Sequence, residues 1–310
     1  MHSAPRPSRW AIATILTIGI LSVSTAAIFI RLALQAADSS GLGVSLVLAA
    51  ARMSIASLIV APAWRQGGDR PLEPSAMRYS IAAGLFLAIH FAAWITSLSY
   101  TSIAASTALV TTNPVWVALL SWRWFHEIPS RLTIVGIATA LVGSIVISLG
   151  DGGNSTASLN PLLGNGLALV GSWAVSLYFL LGREAQQRGL PIGRHAVLTY
   201  SFAALTLLPL PPLVGASYGG FSPAVYGYVA LMALFPQAIG HTSLNWSVRW
   251  VSPTLVTLTI LAEPVGSAVL GYLVFRENPG GVVLLGALVV LLGVAIAVWG
   301  SRVSTRTIPE

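Results

Sequence analysis

One carboxyl group lies in the middle of a long apolar run. Glu263 occupies the centre of run 253–275, which holds no other acidic residue. Burial of an acid at such a depth costs roughly 2.5–3.5 kcal/mol on insertion scales, so a partner or a bound proton must offset it. Glu263 is therefore either a proton carrier or a structural acid, held by Arg52 or by backbone that Pro264 leaves free.

A cation lies near the middle of another apolar run. Arg52 is in run 42–63. A guanidinium group binds carboxylates through two parallel hydrogen bonds, which predicts a clamp for the carboxylate of a substrate. The alternatives are a buried pair with Glu263 or with helix-end carbonyls, or a side chain that extends toward the membrane interface.

Two further runs carry polar side chains at helical spacing. These are His90, Trp94 and Ser97 at i, i+4 and i+7, and Gln237, His241 and Asn245 at i, i+4 and i+8. Each set shares a helix face, and a helix in lipid has no use for a polar stripe unless it faces protein or water. The stripes predict the walls of a cavity, or else hydrogen bonds between helices. Neither stripe offers three clustered ligands, so no metal site is predicted.

Aromatic residues on run 162–182 extend the predicted wall. Trp173, Tyr178 and Phe179 are placed to stack on a substrate or to gate its path. Together with the two stripes they predict a cavity that accepts a small molecule with an apolar part.

The elements that carry these residues must be membrane helices. Of 310 residues, 55% are hydrophobic and 8% charged, against roughly 25% charged in a soluble domain. Apolar runs of about 20 residues that do not alternate select helices over a barrel. The predicted class is an all-α polytopic membrane protein with ten transmembrane helices. Their spans are 10–33, 42–63, 79–99, 103–124, 131–149, 162–182, 195–214, 224–247, 253–275 and 280–300.

Composition and motifs exclude several classes of protein. The chain has no Cys, which excludes disulfides and thiolate chemistry. Its net charge of +7 does not indicate nucleic acid binding, because the arginines lie in short loops and form no continuous basic face. No nucleophile elbow, phosphate loop or metalloprotease motif is present, so neither an enzyme nor a cofactor is predicted.

The arginines also set the orientation in the membrane. With the N-terminus inside, 13 of the 16 arginines fall on the inner side, two on the outer side and one within a span. Lysine is absent, which fits an Arg-biased bacterial proteome. The prediction is a multi-pass protein of the bacterial inner membrane with both termini in the cytoplasm.

The chain repeats itself at a constant offset of 150. Residues 100–150 and 250–300 align without a gap and share 13 of 51 positions. The shared pairs include Pro114/Pro264, Phe125/Phe275, Glu127/Glu277 and Pro129/Pro279, and Asn113 is the repeat mate of Glu263. A weaker match at offset 152 pairs Arg31 with Arg183. Five spans per copy is an odd number, so the copies must be inverted, with a site at their junction.

The repeat defines the predicted units. They are 1–150, a linker at 151–161, and 162–310. Pro114 and Pro264 interrupt helices 4 and 9 at the same repeat position, so each is either a hinge or an inherited kink.

These features resemble the EamA-type family of the drug/metabolite transporter superfamily. The resemblance lies in ten spans as two inverted halves, a proline in helices 4 and 9, the Phe-x-Glu-x-Pro endings and the glycine-spaced helices that follow. It implies a central cavity lined by helices 1, 3, 4, 6, 8 and 9, with helices 5 and 10 peripheral. Many family members have a basic residue where this chain has Ile128 and Asn278, which argues against ion pairing there.

The resemblance implies a secondary transporter that exports a small metabolite, an amino acid or a related compound, by alternating access. The expected partners are a small-molecule substrate and the lipid bilayer, with protons as a candidate coupling ion and no nucleic acid. One alternative is an energy-independent facilitator or exchanger. Another, of a different class, is a membrane enzyme on lipid-linked substrates, which the placement of Glu127 and Glu277 on opposite sides disfavours.

Overall fold

Every regular element of the computed structural model is a helix, within the residues that it describes: 7–65, 72–100, 103–151, 160–276 and 280–304. Ten helices run through these residues. They are α1 (Arg9–Ala37), α2 (Leu42–Arg65), α3 (Pro74–Ser97), α4 (Ile103–Val110 and Asn113–Phe125), α5 (Arg131–Asp151), α6 (Pro161–Gln187), α7 (Ile192–Leu213), α8 (Pro223–Ser247), α9 (Pro253–Ile260 and Glu263–Phe275) and α10 (Gly280–Ser304).

The predicted fold class is confirmed. Among the described residues, eight helices are long and apolar enough to cross a membrane. The remaining two are α5, with a shorter apolar stretch at Arg131–Val146, and α4, which is divided into two short segments. We call the side on which α1 begins the amino-terminal face, and the other side the opposite face.

Short polar residues and prolines determine where several helices begin. The side chains of Ser8, Asn160 and Ser252 accept hydrogen bonds from the backbone N–H three residues later, at 3.1, 3.2 and 3.2 Å. Four helices, α3, α6, α8 and α9, have proline at their first position, where the missing N–H costs no helical hydrogen bond.

The helix contacts follow the internal repeat. α3 packs on α6 and α7 as α8 packs on α1 and α2, and α4 contacts α6 as α9 contacts α1. The pairs α2–α7, α4–α9 and α5–α10 each join a helix to its own repeat mate. Exchange of the halves leaves this set of contacts unchanged, so a pseudo-two-fold axis relates them. Because each half crosses five times, the halves are inverted.

The α5–α10 pair is held together by glycines at backbone contact distance. A Cβ atom on Gly136 would lie 2.5 Å from the Ala297 Cβ, and one on Gly143 would lie 2.6 Å from the Val290 backbone nitrogen. Association of membrane helices depends on such close approach, because lipid provides no hydrophobic driving force between them. The seven-residue glycine spacing therefore serves packing, away from the centre of the bundle.

The close contact between α5 and α10 gives a stability prediction. Gly143→Val should destabilise the protein by about 1–3 kcal/mol, because the new side chain would meet backbone that cannot yield. The measurement is thermal unfolding in detergent, followed by tryptophan fluorescence. Gly166→Val on α6 is the matched control, since no atom lies within 4 Å of a Cβ placed there. Equal melting temperatures for the two variants would contradict the interpretation.

Candidate functional site

A small chamber lies at the centre of the bundle. Its volume of about 40 Å³ has room for about three water molecules. Helices α1, α3, α4, α6, α8 and α9 line it, as the family resemblance implied, and α2 adds one residue. The polar lining residues are Arg52, His90, Thr111, Asn113, His241 and Glu263. A chamber of this volume is too small for a metabolite.

Breaks in α4 and α9 bring Asn113 and Glu263 to the chamber. The breaks lie at 111–112 and 261–262, and each second segment begins with the predicted residue, followed by Pro114 or Pro264. The sequence predicted that these prolines interrupt helices 4 and 9. In the structure each proline lies in the first turn of a new segment, where its missing N–H costs no helical hydrogen bond. A hinge at each break stays a prediction.

The helix end stabilises the acid at Glu263. The residue opens the second segment of α9, where unpaired N–H groups carry a partial positive charge. This charge stabilises an anion by roughly 0.3–1 kcal/mol at an exposed site, and by up to about 2 kcal/mol where partly buried. The Glu263 side chain is half-buried and lines the chamber. Part of its burial cost is thus offset without a cation in contact.

Arg52 is fully buried and makes no ion pair with any residue that the structure describes. Its guanidinium carbon lies 4.1 Å from the centroid of the Phe91 ring. Among the described residues, none of its three nitrogens has a hydrogen-bond partner. Arg52 and Glu263 attract each other across the chamber without direct contact. The direct pair between them, left open by the sequence, is therefore not formed in this structure.

Stacked aromatic rings form one wall of the chamber. The His90 ring lies parallel to that of Trp94, with centroids 5.7 Å apart and an interplanar angle of 15°. The His241 ring is stacked on Phe179 at 6.3 Å and 8°. His90 Nδ1 donates to the backbone oxygen of Gly171 at 2.9 Å, which fixes the ring and leaves Nε2 as an acceptor. This wall suits a flat or apolar group beside a charged one.

A wide helical segment aims His241 into the chamber. Ala233–His241 in α8 is a π-helix that contains Pro236, and both Pro236 and His241 line the chamber. Because a π turn holds more residues than an α turn, it rotates the following side chains away from α register. The predicted stripe on α8 therefore divides: His241 faces the chamber, while Gln237 and Asn245 are buried outside its lining.

Other predicted cavity residues lie outside the chamber. Ser97 Oγ donates to the Trp94 backbone oxygen at 2.7 Å and pairs with Ser106 Oγ at 2.6 Å, which ties α3 to α4. Tyr178 is buried, with its ring centroid 5.8 Å from that of His241. These residues support the wall from behind.

Trp173 was predicted to form part of the cavity wall, and the structure places it elsewhere. Its side chain is 43% exposed on the outside of the bundle and meets the edge of Phe86 at 5.8 Å. Trp173 and Phe179 are six residues apart on α6, which places them on different helix faces. Trp173 is therefore outside the chamber.

Sequence reasoning missed several residues of the site, among them Phe91, Pro236 and Thr111. Phe91 under Arg52 is completely buried, and Pro236 and Thr111 line the chamber. Pro236 had a readable signal, since a proline within an apolar run marks a local change in helix geometry. Phe91 had none, because an aromatic residue beside a stripe is ordinary in a membrane helix.

The Phe-x-Glu ending of α4 joins an arginine of the other half. On the amino-terminal face, Arg183 Nη2 lies 2.5 Å from Glu127 Oε1, and its guanidinium carbon is 4.8 Å from the Phe125 ring centroid. His126 between them is left-handed, with φ of 55°. We call Phe125, Glu127 and Arg183 the amino-terminal latch.

A related contact lies on the opposite face. The guanidinium carbon of Arg31 is 4.3 Å from the Phe275 ring centroid, and Arg276 repeats the left-handed turn with φ of 58°. We call Arg31 and Phe275 the opposite latch; Glu277 lies outside the described residues. Each latch joins one half to the other, and the two latches lie at opposite faces.

Most of the chain matches one family, in two copies. The model of the EamA-like transporter family matches residues 8–149 and 162–299. The chain belongs to the EamA-like transporter family. Family membership makes it a transporter of the drug/metabolite superfamily.

Its relatives and a solved structure agree with this assignment. The chain is 23% identical over 238 residues to an uncharacterized transporter, sll1319, of Synechocystis, covering 75% of this chain and 70% of that protein. It is 30% identical over 168 residues to the uncharacterized inner membrane transporter YedA of Escherichia coli K12, covering 54% and 52%. A crystal structure at 19% identity has a TM-score of 0.74 and covers 95% of this chain and 99% of that one, which shows the shared fold.

A substitution at Arg52 can distinguish a role in protein stability from a role in ligand binding. An unpaired buried cation costs several kcal/mol, of which contact with Phe91 returns about 2 kcal/mol or less. Arg52→Met should therefore keep or raise the melting temperature of the purified protein while abolishing ligand binding. The control is Arg249→Met at the end of α8, whose guanidinium is 5.1 Å from the Trp250 ring. A melting temperature well below that of the control would mean that Arg52 is structural.

Proposed function

We propose that this family member exports a small zwitterionic metabolite, an amino acid or a related compound, by alternating access. One observation carries the proposal: Arg52 and Glu263 face the same central chamber with opposite charges and without direct contact. A bound zwitterion would complete both interactions, with its carboxylate on Arg52 and its ammonium group on Glu263.

The walls indicate the rest of the substrate. The rings of His90, Trp94 and Phe179 lie beside the two charges and offer flat surfaces for an apolar side chain. Asn113 adds an amide whose oxygen has no partner among the described residues. This combination favours an amphipathic amino acid over a purely anionic or cationic metabolite.

The two latches supply a route for alternating access. Both are closed around a small chamber, which is the arrangement expected of an occluded state. Each latch joins opposite halves at a different face, so release of one opens one side only. Rocking of the two inverted halves about the chamber then exposes the site to each side in turn.

The orientation follows from the loop arginines. With both termini in the cytoplasm of a bacterial cell, the amino-terminal latch closes the cytoplasmic entry and the opposite latch closes the exit. Export then begins with release of Arg183 from Glu127. Glu263 is the candidate proton carrier at the site, because only it among the chamber's lining residues is an acid.

Ligand stabilisation tests the substrate class. A zwitterionic amino acid at about 100 times its Kd should stabilise the protein by about 2.7 kcal/mol, while its methyl ester and its N-acetyl derivative should not. The ester lacks the carboxylate for Arg52, and the acetyl group removes the charge for Glu263. The measurement is the thermal shift of the purified protein across apolar amino acids.

The matched variants are Glu263→Gln, which should lose the response, and Glu184→Gln, which should keep it. Glu184 pairs with Arg188 at the surface of the amino-terminal face, away from the chamber. Equal stabilisation by the amino acid, its ester and its acetyl derivative would overturn the proposed recognition.

Cysteine accessibility tests the latches, because the chain has no native Cys. In a Val175→Cys background, which places a thiol on the chamber wall, Glu127→Gln should speed labelling from the amino-terminal face. Phe275→Ala should speed it from the opposite face. The measurement is the labelling rate with a membrane-impermeant maleimide in inside-out and right-side-out vesicles.

Glu184→Gln is again the control, since it breaks an ion pair on the same face outside the latch. If both latch variants speed labelling from the same side, or neither differs from the control, the latches do not gate the chamber.

A further inference from the structure

A second buried polar cluster lies between the chamber and the amino-terminal face. It contains Ser80 of α3, Gln186 of α6, His195 of α7 and Asn245 of α8, each at most 2% exposed. None of them lines the central chamber. His195 is in the first turn of α7, so the cluster begins close to the amino-terminal face. We call these four residues the His195 cluster.

A glycine makes room for the cluster. A Cβ atom on Gly182 would clash with the Asn245 side-chain oxygen and would lie 3.0 Å from His195 Nε2. Any other residue at 182 would therefore push the amide and the ring apart. The polar groups of three helices meet at this one point on α6.

The cluster is incompletely hydrogen-bonded. His195 Nδ1 is 2.7 Å from Ser80 Oγ, but Nε2 has no partner among the described residues. The side-chain oxygen and nitrogen of Asn245 and the side-chain oxygen of Gln186 also lack partners there. Buried polar groups are nearly always hydrogen-bonded, so these neighbouring groups need a physical explanation.

The cluster offers an acceptor beside each nitrogen of the His195 ring. A doubly protonated imidazole donates from both nitrogens. Ser80 Oγ can accept from Nδ1–H, and the Asn245 oxygen beside Nε2 can accept from Nε2–H. The helices packed around the ring present Ser80 from α3, Gly182 and Gln186 from α6, Thr199 from α7 and Asn245 from α8, so no charged side chain among the described residues opposes the proton there.

Hydroxyl groups connect the cluster to the central chamber. Asn245 is within reach of the Tyr178 hydroxyl, and Tyr178 is within reach of Tyr200. Tyr200 is 2.9 Å from Thr242 Oγ1. The Tyr178 ring lies 5.8 Å from His241 on the chamber wall. A change of charge at His195 therefore has a short polar route to the site.

The other half of the protein lacks this route. At the repeat offsets of 150 and 152, His195 corresponds to Ser45, Asn245 to Ile95 and Tyr178 to Ala26. Three side chains able to carry or relay a charge are replaced by a hydroxyl and two apolar groups. The scaffold is two-fold symmetric, whereas the polar route exists only on the amino-terminal side.

We propose that the His195 cluster is a proton-binding site, reached from the amino-terminal face and coupled to the central chamber through Asn245 and Tyr178. The proton comes from water and binds the lone pair of a ring nitrogen, leaving an imidazolium. Coupling to transport rests on the proposed function, but proton binding does not. A route on one side only gives the two faces of a symmetric scaffold different proton access.

Histidine NMR tests proton binding without any substrate. The full chain is labelled with ¹⁵N-histidine in nanodiscs, and His195→Gln assigns the His195 signal among the five histidines. Across an acid-to-alkaline series, the His195 signals should move between the neutral and the doubly protonated form. Gly182→Ala, which displaces the acceptor amide, should shift this transition, whereas His126→Gln, at the end of α4, should leave it in place.

The outcomes decide the proposal. A His195 ring that keeps one protonation state and one tautomer throughout would make it a structural histidine. A transition unchanged by Gly182→Ala would show that the cluster does not hold the proton. Gel filtration of each variant confirms that it is folded.

A flux measurement then tests coupling. In proteoliposomes loaded with a labelled apolar amino acid, His195→Gln should lose the stimulation of flux by an imposed pH gradient, and His126→Gln should retain it. Full stimulation of flux by the pH gradient in His195→Gln would show that His195 is not coupled to transport. If no amino acid moves in the unmodified protein, the proposed function fails, while the NMR result still decides proton binding.

Discussion

Two opposite charges held apart inside an apolar bundle constrain the whole structure. Arg52 is fully buried without a hydrogen-bond partner among the described residues, and Glu263 opens a helix segment across the chamber from it. Burial limits their solvation, and the protein stabilises each locally, with the Phe91 ring for the cation and a helix end for the acid. The stabilisation is incomplete, and a ligand with both charges would complete it. In a site of this kind, the unsatisfied interactions are available to bind a ligand and do not stabilise the fold.

The breaks in α4 and α9 are what make such a site possible at the middle of a membrane bundle. Irregular backbone at that depth is tolerated only where protein or a cavity surrounds it. Both breaks fall at the same repeat position and both open onto the chamber, so one local motif, used twice in inverted form, supplies a polar residue to the centre from each half. The glycine contacts between α5 and α10 hold the two halves together at one side of the bundle. Close backbone packing stabilises this contact, because lipid provides no hydrophobic driving force between helices.

The two halves share a symmetric scaffold but differ in their buried polar residues. Asn113 stands where Glu263 would be in the other half, and the His195 cluster has no counterpart on the opposite side. The latches, by contrast, are repeated: an arginine of one half meets a phenylalanine of the other at each face. Symmetric latches around an asymmetric polar interior agree with the proposed alternating access, in which the two sides are treated differently.

The sequence by itself determined the membrane class, the helix spans to within a few residues, the inverted repeat and the residues Arg52, His90, Asn113, Phe179, His241 and Glu263 that now share one chamber. Apolar length and helical periodicity are local properties, which a sequence displays directly. Only the tertiary structure decided that the two prolines begin new segments, that Trp173 faces outward and that Asn245 belongs to His195 instead of to the chamber. It also decided that Arg183 meets Glu127. These contacts join residues far apart in the chain, and their geometry depends on a π turn and two helix breaks whose rotations no spacing rule supplies.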